Sequence, residues 1–383
     1  MGTDRAATDV LLVGAGHAHV EVLRRFGKRP LPGVRLTLLT REAATPYSGM
    51  LPGVVAGHYA AADALIGTGR LARFAGARLL LDEATGIDMA ARRVLRSKGP
   101  PVPFHLLSLD TGSRPNTGGT PGAEAHAIPV KPIDGFLARF EEVRTRVRAG
   151  QSRHVLMVGG GAGGVELLLA VEHRLRQDAA THAEGLTFTL VTGSDEVLPG
   201  FPATFRARFR AVLARQGIVV RTNVRVVAVE PGSVVLAGGG RLPADETLWT
   251  TEAAPASWLA GAGLPLDAEG FLSVDATLRA VEGVFAAGDM IAFRPGAIPR
   301  SGVYAVRAGP VLAANIRAAL AGRRLRPYRP QGQALAIVTT GNRHAILTRN
   351  GVTLEGGWAW RLKDWIDRRW MARYKCLAPV SLS

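Results

Sequence analysis

Two glycine-rich stretches decide the fold of this chain: GAGHAH at residues 14–19 and GGGAGG at residues 159–164. The apolar run Val10–Val13 leads into the first stretch, a helical pattern follows it, and a second strand-like run covers Val34–Leu39. Strand, glycine turn, helix and strand within about 30 residues is the plan of a βαβ unit.

The second stretch repeats this plan. It follows His154–Val158, precedes a helical pattern that extends to about Leu175, and is completed by a strand-like run at Leu186–Thr192. The two stretches begin at residues 14 and 159, which are 145 positions apart. That period is too long for a solenoid and predicts two homologous nucleotide-binding domains.

A G-x-G-x-x-G loop brings backbone N–H groups and a helix N-terminus close to a pyrophosphate. The first copy has Gly14 and Gly16 but carries His19 at the third position. The second copy is complete, with Gly159, Gly161 and Gly164. We therefore expect one dinucleotide at each loop.

The acidic residue that usually binds a ribose after the second strand is missing from both units. Thr40 and Thr192 occupy that position, and Arg41 and Glu42 follow Thr40. A threonine hydroxyl can bind a ribose but does not select NADH or NADPH, so the cofactor preference stays open.

Composition narrows the class of protein. The 383 residues suffice for two or three domains, and a hydrophobic content of 47% excludes a disordered chain. The net charge is +16, and 42 of the 47 basic residues are Arg. An anionic cofactor or membrane surface suits this charge, whereas no nucleic-acid partner is predicted because no nucleic-acid-binding module is recognisable. Without a membrane-spanning run or a signal peptide, the sequence predicts a cytoplasmic protein.

The remaining segments predict a linker, a helix and a separate C-terminal region. Gly112–Pro129 is rich in Gly, Pro, Thr and Asn and predicts a linker, and Ile133–Ala149 is helical in pattern. A strand and turn are expected at GVFAAGD, residues 283–289. Near the C-terminus we expect strands at Ala334–Thr340 and His344–Leu347 and a helix at Trp358–Tyr374.

The two units, DTGSRP at residues 110–115 and GVFAAGD together resemble the two-dinucleotide flavoproteins of the pyridine nucleotide–disulfide oxidoreductase superfamily, over nearly the whole chain. The resemblance implies an α/β fold with two Rossmann-type domains and a small C-terminal α+β region. The implied bounds are 1–150 and 263–328 for an FAD-binding domain, 151–262 for an NAD(P)H-binding domain, and 329–383 for the C-terminal strands and helix.

In this family the Asp of the late motif holds the flavin ribityl chain, and the next helix, here from about Gly302, points at the flavin. The cofactors implied are FAD and NAD(P)H. The expected cofactor-binding residues are Gly14, Gly16, His17, His19, Thr40, Arg41, Tyr47, Thr111, Gly112, Gly159, Gly161, Gly164, Gly288, Asp289, Val303 and Tyr304.

The single cysteine, Cys376, selects a branch of the superfamily because it cannot form a redox pair. The remaining similar group is the type II NADH dehydrogenases, whose second glycine loop resembles GGGAGGVEL at residues 159–167. This implies electron transfer from NAD(P)H through FAD to a quinone-like acceptor. Glu166 matches a glutamate near the flavin in that group, although it also suits a plain helix N-terminus. Lys131 is expected to approach the flavin as a second catalytic residue, and no metal site is expected.

A closer resemblance is to the oxidoreductase domain fused ahead of selenide, water dikinase. It implies that His17 and His19 are a subfamily feature near the FAD phosphates, and it supports a selenium- or sulfur-related flavin oxidoreductase as the alternative. A flavin-binding protein without NAD(P)H turnover is a third possibility, because Thr192 replaces the usual acid. The stretches that carry the resemblance are GAGHAHVEVLRRF (14–26), TPYSGMLPG (45–53), GHY (57–59), IPVKP (128–132) and SGVYAVR (301–307).

The C-terminal helix is predicted to be amphipathic. At 100° per residue one arc carries Trp358, Leu362, Trp365, Ile366 and Trp370, and six basic residues lie among them. Such a helix suits an anionic membrane surface through residues 358–375, which would place the protein peripherally on the inner face of the cytoplasmic membrane. Packing on the body of the protein, or a homodimer contact, is the rival interpretation.

Overall fold

The computed structural model describes residues 7–117, 119–179, 185–251, 253–332 and 334–377. The helices in these ranges are α1 (His17–Lys28), α2 (Leu51–Val55), α3 (Thr68–Phe74), α4 (Ala123–His126), α5 (Ile133–Arg148), α6 (Ala162–Ala179), α7 (Ala203–Arg215), α8 (Gly302–Leu320) and α9 (Gly357–Lys375).

The strands are short, and eleven of the 26 described strands belong to two largely parallel sheets. They are β1 (Thr8–Val13), β2 (Val34–Thr40), β3 (Ala44–Pro46), β4 (Leu65–Gly67), β5 (Arg78–Leu81), β6 (Ala84–Asp88), β7 (Arg93–Arg96), β8 (Val102–Pro103), β9 (Leu106–Leu109), β10 (Arg114–Pro115), β11 (Ala127–Pro129), β12 (His154–Val158), β13 (Thr187–Val191), β14 (Ile218–Arg221), β15 (Val226–Glu230), β16 (Ser233–Leu236), β17 (Arg241–Pro243), β18 (Glu246–Trp249), β19 (Ala253–Ala254), β20 (Leu272–Val274), β21 (Arg279–Val281), β22 (Val284–Ala286), β23 (Ile291–Phe293), β24 (Ala336–Thr339), β25 (Ala345–Arg349) and β26 (Val352–Gly356).

The first sheet has the order β21-β22-β9-β1-β2-β5, and all its pairs except β21 with β22 are parallel. In its middle, Val10 lies between Leu36 and Leu106. These strands are almost continuously apolar because helices cover both faces of such a sheet. The late motif joins this sheet, since β22 contains residues of GVFAAGD.

The second sheet has the order β11-β18-β12-β13-β14 and is entirely parallel. Both predicted βαβ units are therefore confirmed, as β1-α1-β2 and β12-α6-β13. Each glycine loop follows a strand that is paired on both sides. At such a strand the chain connections to the two neighbouring strands run in opposite directions. This is the place where α/β sheets bind ligands.

The predicted linker contains more structure than its composition indicated. It holds the short strands β10 and β11 and the one-turn helix α4, while Gly118 lies outside the described residues. The predicted helix after it is confirmed as α5, and the predicted strand and turn at residues 283–289 as β22 and the helical turn Gly288–Met290.

The C-terminal region is an antiparallel sheet, β24-β25-β26, followed by α9. The two predicted strands and the helix are confirmed, whereas β26 was not predicted because Asn350 and Gly351 divide a run of mixed polarity. The predicted apolar arc of α9 is only partly buried in the structure. Trp370 is buried with Met371 and Tyr374, but Trp358 and Trp365 are 45% and 57% exposed.

Candidate cofactor and electron-transfer site

An open cavity lies at the carboxyl ends of β1, β2 and β9, between the first glycine loop and α8. Ten of the predicted site residues line it together. They are Gly14, Gly16, His17, Thr40, Arg41, Thr111, Gly112, Lys131, Gly288 and Asp289.

The first glycine loop is shaped by a neighbouring strand. Gly14 has a φ of 87°, and its N–H donates to the Leu39 carbonyl at 2.8 Å. A Cβ on Gly14 would lie 2.3 Å from the Asp110 carbonyl oxygen, and one on Gly16 would lie 2.3 Å from Asp110 Oδ1. Glycine is therefore required at both positions because Asp110, the residue directly after β9, lies so close to them.

Asp110 is a site residue that belongs to the DTGSRP motif but had no predicted role of its own. Its side chain lines the cavity although the residue is only 2% exposed. Oδ2 accepts hydrogen bonds from the N–H groups of Ala18 (2.8 Å) and His19 (3.0 Å), at the start of α1. Burial raises the pKa of Asp110 to about 7, although these two N–H donors oppose the shift. The signal available in the sequence was an acidic residue directly after a buried strand that adjoins the loop.

Lys131 and Asp289 form an ion pair in the cavity wall, with 2.8 Å between Nζ and Oδ2. Lys131 thus lines the cavity, and its charge is matched by a carboxylate. Gly302, the first residue of α8, lines the same wall. The positive end of this helix dipole therefore faces the cavity.

The two histidines of the first loop differ in position. The His17 ring lines the cavity, its Nε2 has no hydrogen-bond partner among the described residues, and burial lowers its pKa to about 4. The His19 ring lies behind the loop. Its Nδ1 donates to the Gly14 carbonyl at 2.6 Å, so Nε2 is the acceptor for the Ser108 hydroxyl at 2.8 Å. Both nitrogens of His19 are used internally, which leaves none for a phosphate or a metal.

Tyr47 lies beside the cavity, under α9. Its ring stacks on Trp370 at 4.2 Å between centroids and meets the edge of His17 at 5.4 Å. Its hydroxyl donates to Asp367 Oδ1 at 3.1 Å, and burial raises the pKa of Tyr47 far above its usual value. The C-terminal helix therefore closes one side of the predicted flavin region, which no local pattern in the sequence indicates.

Asp367 continues into a polar chain. Lys363 Nζ donates to Asp367 Oδ2 at 2.8 Å and to the Gly49 carbonyl at 2.6 Å. Burial alone would lower the pKa of Lys363, but Asp367 and Glu166 outweigh it and raise that pKa.

Glu166 lies outside the cavity, near Lys363. Its Oε1 accepts from the N–H and the hydroxyl of Thr339, at 2.8 and 2.9 Å. Burial raises the pKa of Glu166, and Lys363 partly offsets the shift. Tyr47, Asp367 and Lys363 are thus linked by hydrogen bonds, and Glu166 lies close enough to Lys363 to interact with it electrostatically. These four residues, here called the α9 polar chain, connect α6 and the segment after β3 to the C-terminal helix.

The second glycine loop is approached by a neutral residue. A Cβ on Gly164 would lie 2.0 Å from the Gly159 carbonyl oxygen, and one on Gly159 would lie 2.5 Å from Thr250 Oγ1. Thr250 follows β18 and donates its hydroxyl to the Val158 carbonyl at 3.1 Å. A Cβ on Gly161 would meet no described atom within 4 Å, so this part of the loop is open to a ligand.

The remaining predicted residues lie at the margins. Thr40 is buried in the cavity wall, and Arg41 pairs with Glu42 at 2.8 Å on the same wall. Val303 is 41% exposed in the first turn of α8. Tyr304 points away from the cavity wall and donates to the Gln331 carbonyl at 3.3 Å.

The chain belongs to the pyridine nucleotide-disulphide oxidoreductase family, whose model matches residues 8–309. An NADH dehydrogenase-like protein of Mycobacterium tuberculosis is 31% identical over 233 residues, which cover 57% of this chain and 56% of the relative. The type II NADH:quinone oxidoreductase of Haemophilus influenzae is 26% identical over 39% of each chain. The chain therefore spans just over half the length of the first relative and less of the second.

Solved structures agree on the fold. The sulfide:quinone oxidoreductase of Aquifex aeolicus matches with a TM-score of 0.81 and 17% identity, over 98% of this chain and 93% of its own. NDH2 of Plasmodium falciparum in complex with NADH matches with a TM-score of 0.75 and 14% identity, over 94% and 97%. The chain thus has the two-dinucleotide flavoprotein fold of this family. Within the described ranges, no helix is long and apolar enough to cross a membrane.

Proposed function

We propose that this chain is an FAD-dependent NAD(P)H oxidoreductase that delivers electrons to a quinone-like acceptor without a redox cysteine pair. The observation that carries the proposal is the cavity, which joins a phosphate-binding glycine loop to a Lys131–Asp289 pair and the N-terminus of α8. The domain bounds given by the sequence, 1–150 with 263–328 for FAD and 151–262 for NAD(P)H, are part of this proposal.

The residues of the cavity suit FAD along its length. The loop at Gly14–Gly16 offers backbone groups to the pyrophosphate, and Arg41 and Glu42 lie beyond it near the end of β2. The N-terminus of α8 supplies positive potential where a reduced flavin would carry negative charge, and Lys131, paired with Asp289, lines the same wall. The orphaned Nε2 of His17 also suits a polar ligand in this space. When bound, FAD supplies the hydride and electron chemistry, and the chain supplies binding, orientation and electrostatics.

NAD(P)H is assigned to the second loop, with Gly159, Gly161 and Gly164. The open backbone at Gly161 and the N-terminus of α6 suit a pyrophosphate. Thr192 carries no charge that selects NADH or NADPH, so either nucleotide is a candidate hydride donor.

The α9 polar chain is the proposed proton source for the acceptor. Reduction of a quinone to a quinol takes up two electrons and two protons, so an acceptor site needs donors that hold a proton near neutral pH. Glu166, whose pKa burial raises, retains its proton to a higher pH than an ordinary carboxyl does, and Lys363, whose pKa is raised by Asp367 and Glu166, is a second donor. Tyr47 and Asp367 extend the chain to the flavin side of the cavity.

The outer face of α9 supports a membrane-surface location at the inner face of the cytoplasmic membrane. Trp358 and Trp365 are exposed there, and four arginines flank them on the same helix. Exposed tryptophan with basic residues favours an anionic interface. The arginines are Arg361, Arg368, Arg369 and Arg373.

Anaerobic stopped-flow mixing of the FAD-loaded chain with NADH or NADPH tests the proposal. We expect flavin bleaching with at least one nucleotide, and reoxidation by a soluble quinone faster than by sulfur or selenium compounds. A Cys376→Ser variant is the control and should react at the same rate, because Cys376 is exposed at the end of α9. Absence of bleaching by both nucleotides would remove the dehydrogenase function, leaving a flavin-binding protein.

A further inference from the structure

Asp110 lies where the proposed FAD site brings negative charge. Its carboxylate lies against both Gly16 and Gly288. A Cβ added to either glycine would lie 2.3 Å from Asp110 Oδ1. Oδ2 is committed to two N–H groups of α1, whereas Oδ1 has no hydrogen-bond donor among the described residues. One oxygen is thus paired and the other is free to carry a proton.

The N-terminus of α1 would be contested by two anions. A dinucleotide pyrophosphate is attracted to the first turn of a helix, but Asp110 already accepts two N–H groups of that turn. Two negative charges in a buried site repel strongly, and protonation of one removes the repulsion. Asp110 is the group that can accept that proton without losing its hydrogen bonds, because protonation at Oδ1 leaves Oδ2 as an acceptor.

The other charged groups near Asp110 do not substitute for it. On α1, the low pKa values of His17 and His19 keep both rings neutral near pH 7. After β22, Asp289 adds negative charge and raises the pKa of Asp110 further. From the segment before α5, Lys131 is paired with that carboxylate. The charges farther along the cavity wall are paired among themselves, as Arg41 with Glu42, Arg114 with Glu83 and Arg96 with Asp82.

We propose that Asp110 binds a proton from solvent when FAD binds, so that one proton is taken up with each dinucleotide and the protonated carboxyl donates a hydrogen bond into the cavity. This inference rests on the proposed FAD site. It makes Asp110 a binding residue whose role is to couple FAD affinity to pH, and the second loop, which has Thr250 in the corresponding place, has no such coupling.

Dilution of the FAD-loaded full-length chain, with free flavin followed by fluorescence, gives the FAD dissociation constant across a pH series. Because the pKa of Asp110 in the cavity is about 7, Kd should be constant at lower pH and rise about tenfold per pH unit above that value. Asp110→Asn keeps the acceptor and donor pattern of the protonated carboxyl and should give a flat profile. Glu230→Gln, which breaks an exposed ion pair with Arg241 of β17 outside the cavity, should keep the wild-type profile.

A pH-indicator dye in weakly buffered solution measures the proton directly. We expect about one proton released per FAD released near pH 8 for the wild-type chain, and none for Asp110→Asn. FAD binding with no pH dependence, or a slope that survives in a folded Asp110→Asn, would overturn this inference alone. If Asp110→Asn does not fold, the proton count of the wild-type chain decides. FAD that binds at no pH would overturn the proposed function and this inference with it.

Discussion

The two glycine loops share a plan but differ in the residue that packs against them. Each follows the middle strand of a parallel sheet and is approached by the residue after the adjoining strand, Asp110 after β9 and Thr250 after β18. Asp110 is ionisable and occupies the N-terminus of α1, whereas Thr250 is neutral and donates to a backbone carbonyl. A single side chain, Asp110 or Thr250, therefore determines whether an ionisable group lies beside the glycine loop.

A second difference concerns two glutamates at matching positions, one turn into the helix that follows each loop. Glu21 of α1 is paired with Arg24 and Arg25 and accepts from the Tyr374 hydroxyl at 3.0 Å. Burial alone would raise the pKa of Glu21, but the two arginines bring it below its usual value. Glu166 of α6 has no arginine partner in the described residues, and its pKa is raised. Glu21 contacts Tyr374 of α9, and Glu166 contacts Thr339 of β24. Of the two, only Glu166 is suited to hold a proton.

The largest difference between the loops is expected when a methyl group is added to each of them. Neither Gly16 nor Gly161 has a φ in the left-handed region, so Ala strains neither backbone. In Gly16→Ala the Cβ overlaps the Asp110 carboxyl, which should eliminate FAD from the purified protein and lower the free energy of unfolding by about 1–3 kcal/mol. Gly161→Ala should keep full flavin content and the wild-type unfolding temperature.

Flavin absorbance per protein and thermal unfolding measure both variants. Asp110→Ala should restore the stability of Gly16→Ala, because it removes the overlapping carboxyl. A Gly161→Ala protein without flavin, or a Gly16→Ala protein with it, would contradict the difference between the loops.

Much of this comparison could be predicted from the sequence, because glycine spacing and apolar runs are local signals. They placed β1, α1, β12 and α6 together with the glycines of both loops, whereas Asp289, which lines the same cavity as the first loop, came from the family resemblance. The partners of these residues come from distant segments, and no local pattern encodes them. Asp110 reaches the loop through strand pairing, and Lys363 lies near Glu166 only because α9 folds back. For the same reason periodicity alone does not indicate the polar contacts that Asp367 and Tyr374 of α9 make with the rest of the protein.

Moving the carboxylate to the second loop is expected to have the next largest effect. Thr250→Asp places a negative charge beside Gly159 and Gly164, where the NAD(P)H pyrophosphate is proposed to bind. At about 4 Å and an effective dielectric constant of about 20, repulsion of about 4 kcal/mol is expected, which weakens NAD(P)H binding by at least about 100-fold. Thr250→Asn has the same size without the charge and is the control. The dependence of the flavin reduction rate on NADH concentration measures both, and equal weakening in the two variants would attribute the effect to size.

Exchange of the two glutamates for glutamine separates their roles. Because burial raises the pKa of Glu166, its proton is retained to higher pH than in an ordinary carboxyl, and flavin reoxidation by a quinone should slow as pH rises through that pKa. Glu166→Gln should slow reoxidation about tenfold at low pH and flatten this profile, since Lys363 remains as a second donor. Glu21→Gln should leave the profile unchanged while lowering the unfolding temperature. A steep profile in Glu166→Gln would assign the proton to another group.

The smallest effect is expected where the first loop's helix contacts α9. Tyr374→Phe removes the 3.0 Å hydrogen bond to Glu21 Oε2, but that oxygen keeps its bond from Arg24 Nε at 2.8 Å, so no buried acceptor is left without a donor. The free energy of unfolding should therefore fall by only about 1 kcal/mol, with flavin reduction and reoxidation unchanged. Urea unfolding followed by tryptophan fluorescence measures the change, and Tyr328→Phe, which removes a buried hydroxyl bonded to the Tyr304 carbonyl away from α9, is the matched control. A loss of quinone reactivity in Tyr374→Phe but not in Tyr328→Phe would show that this contact also orders the α9 polar chain, and the two glutamates would then act on the same site.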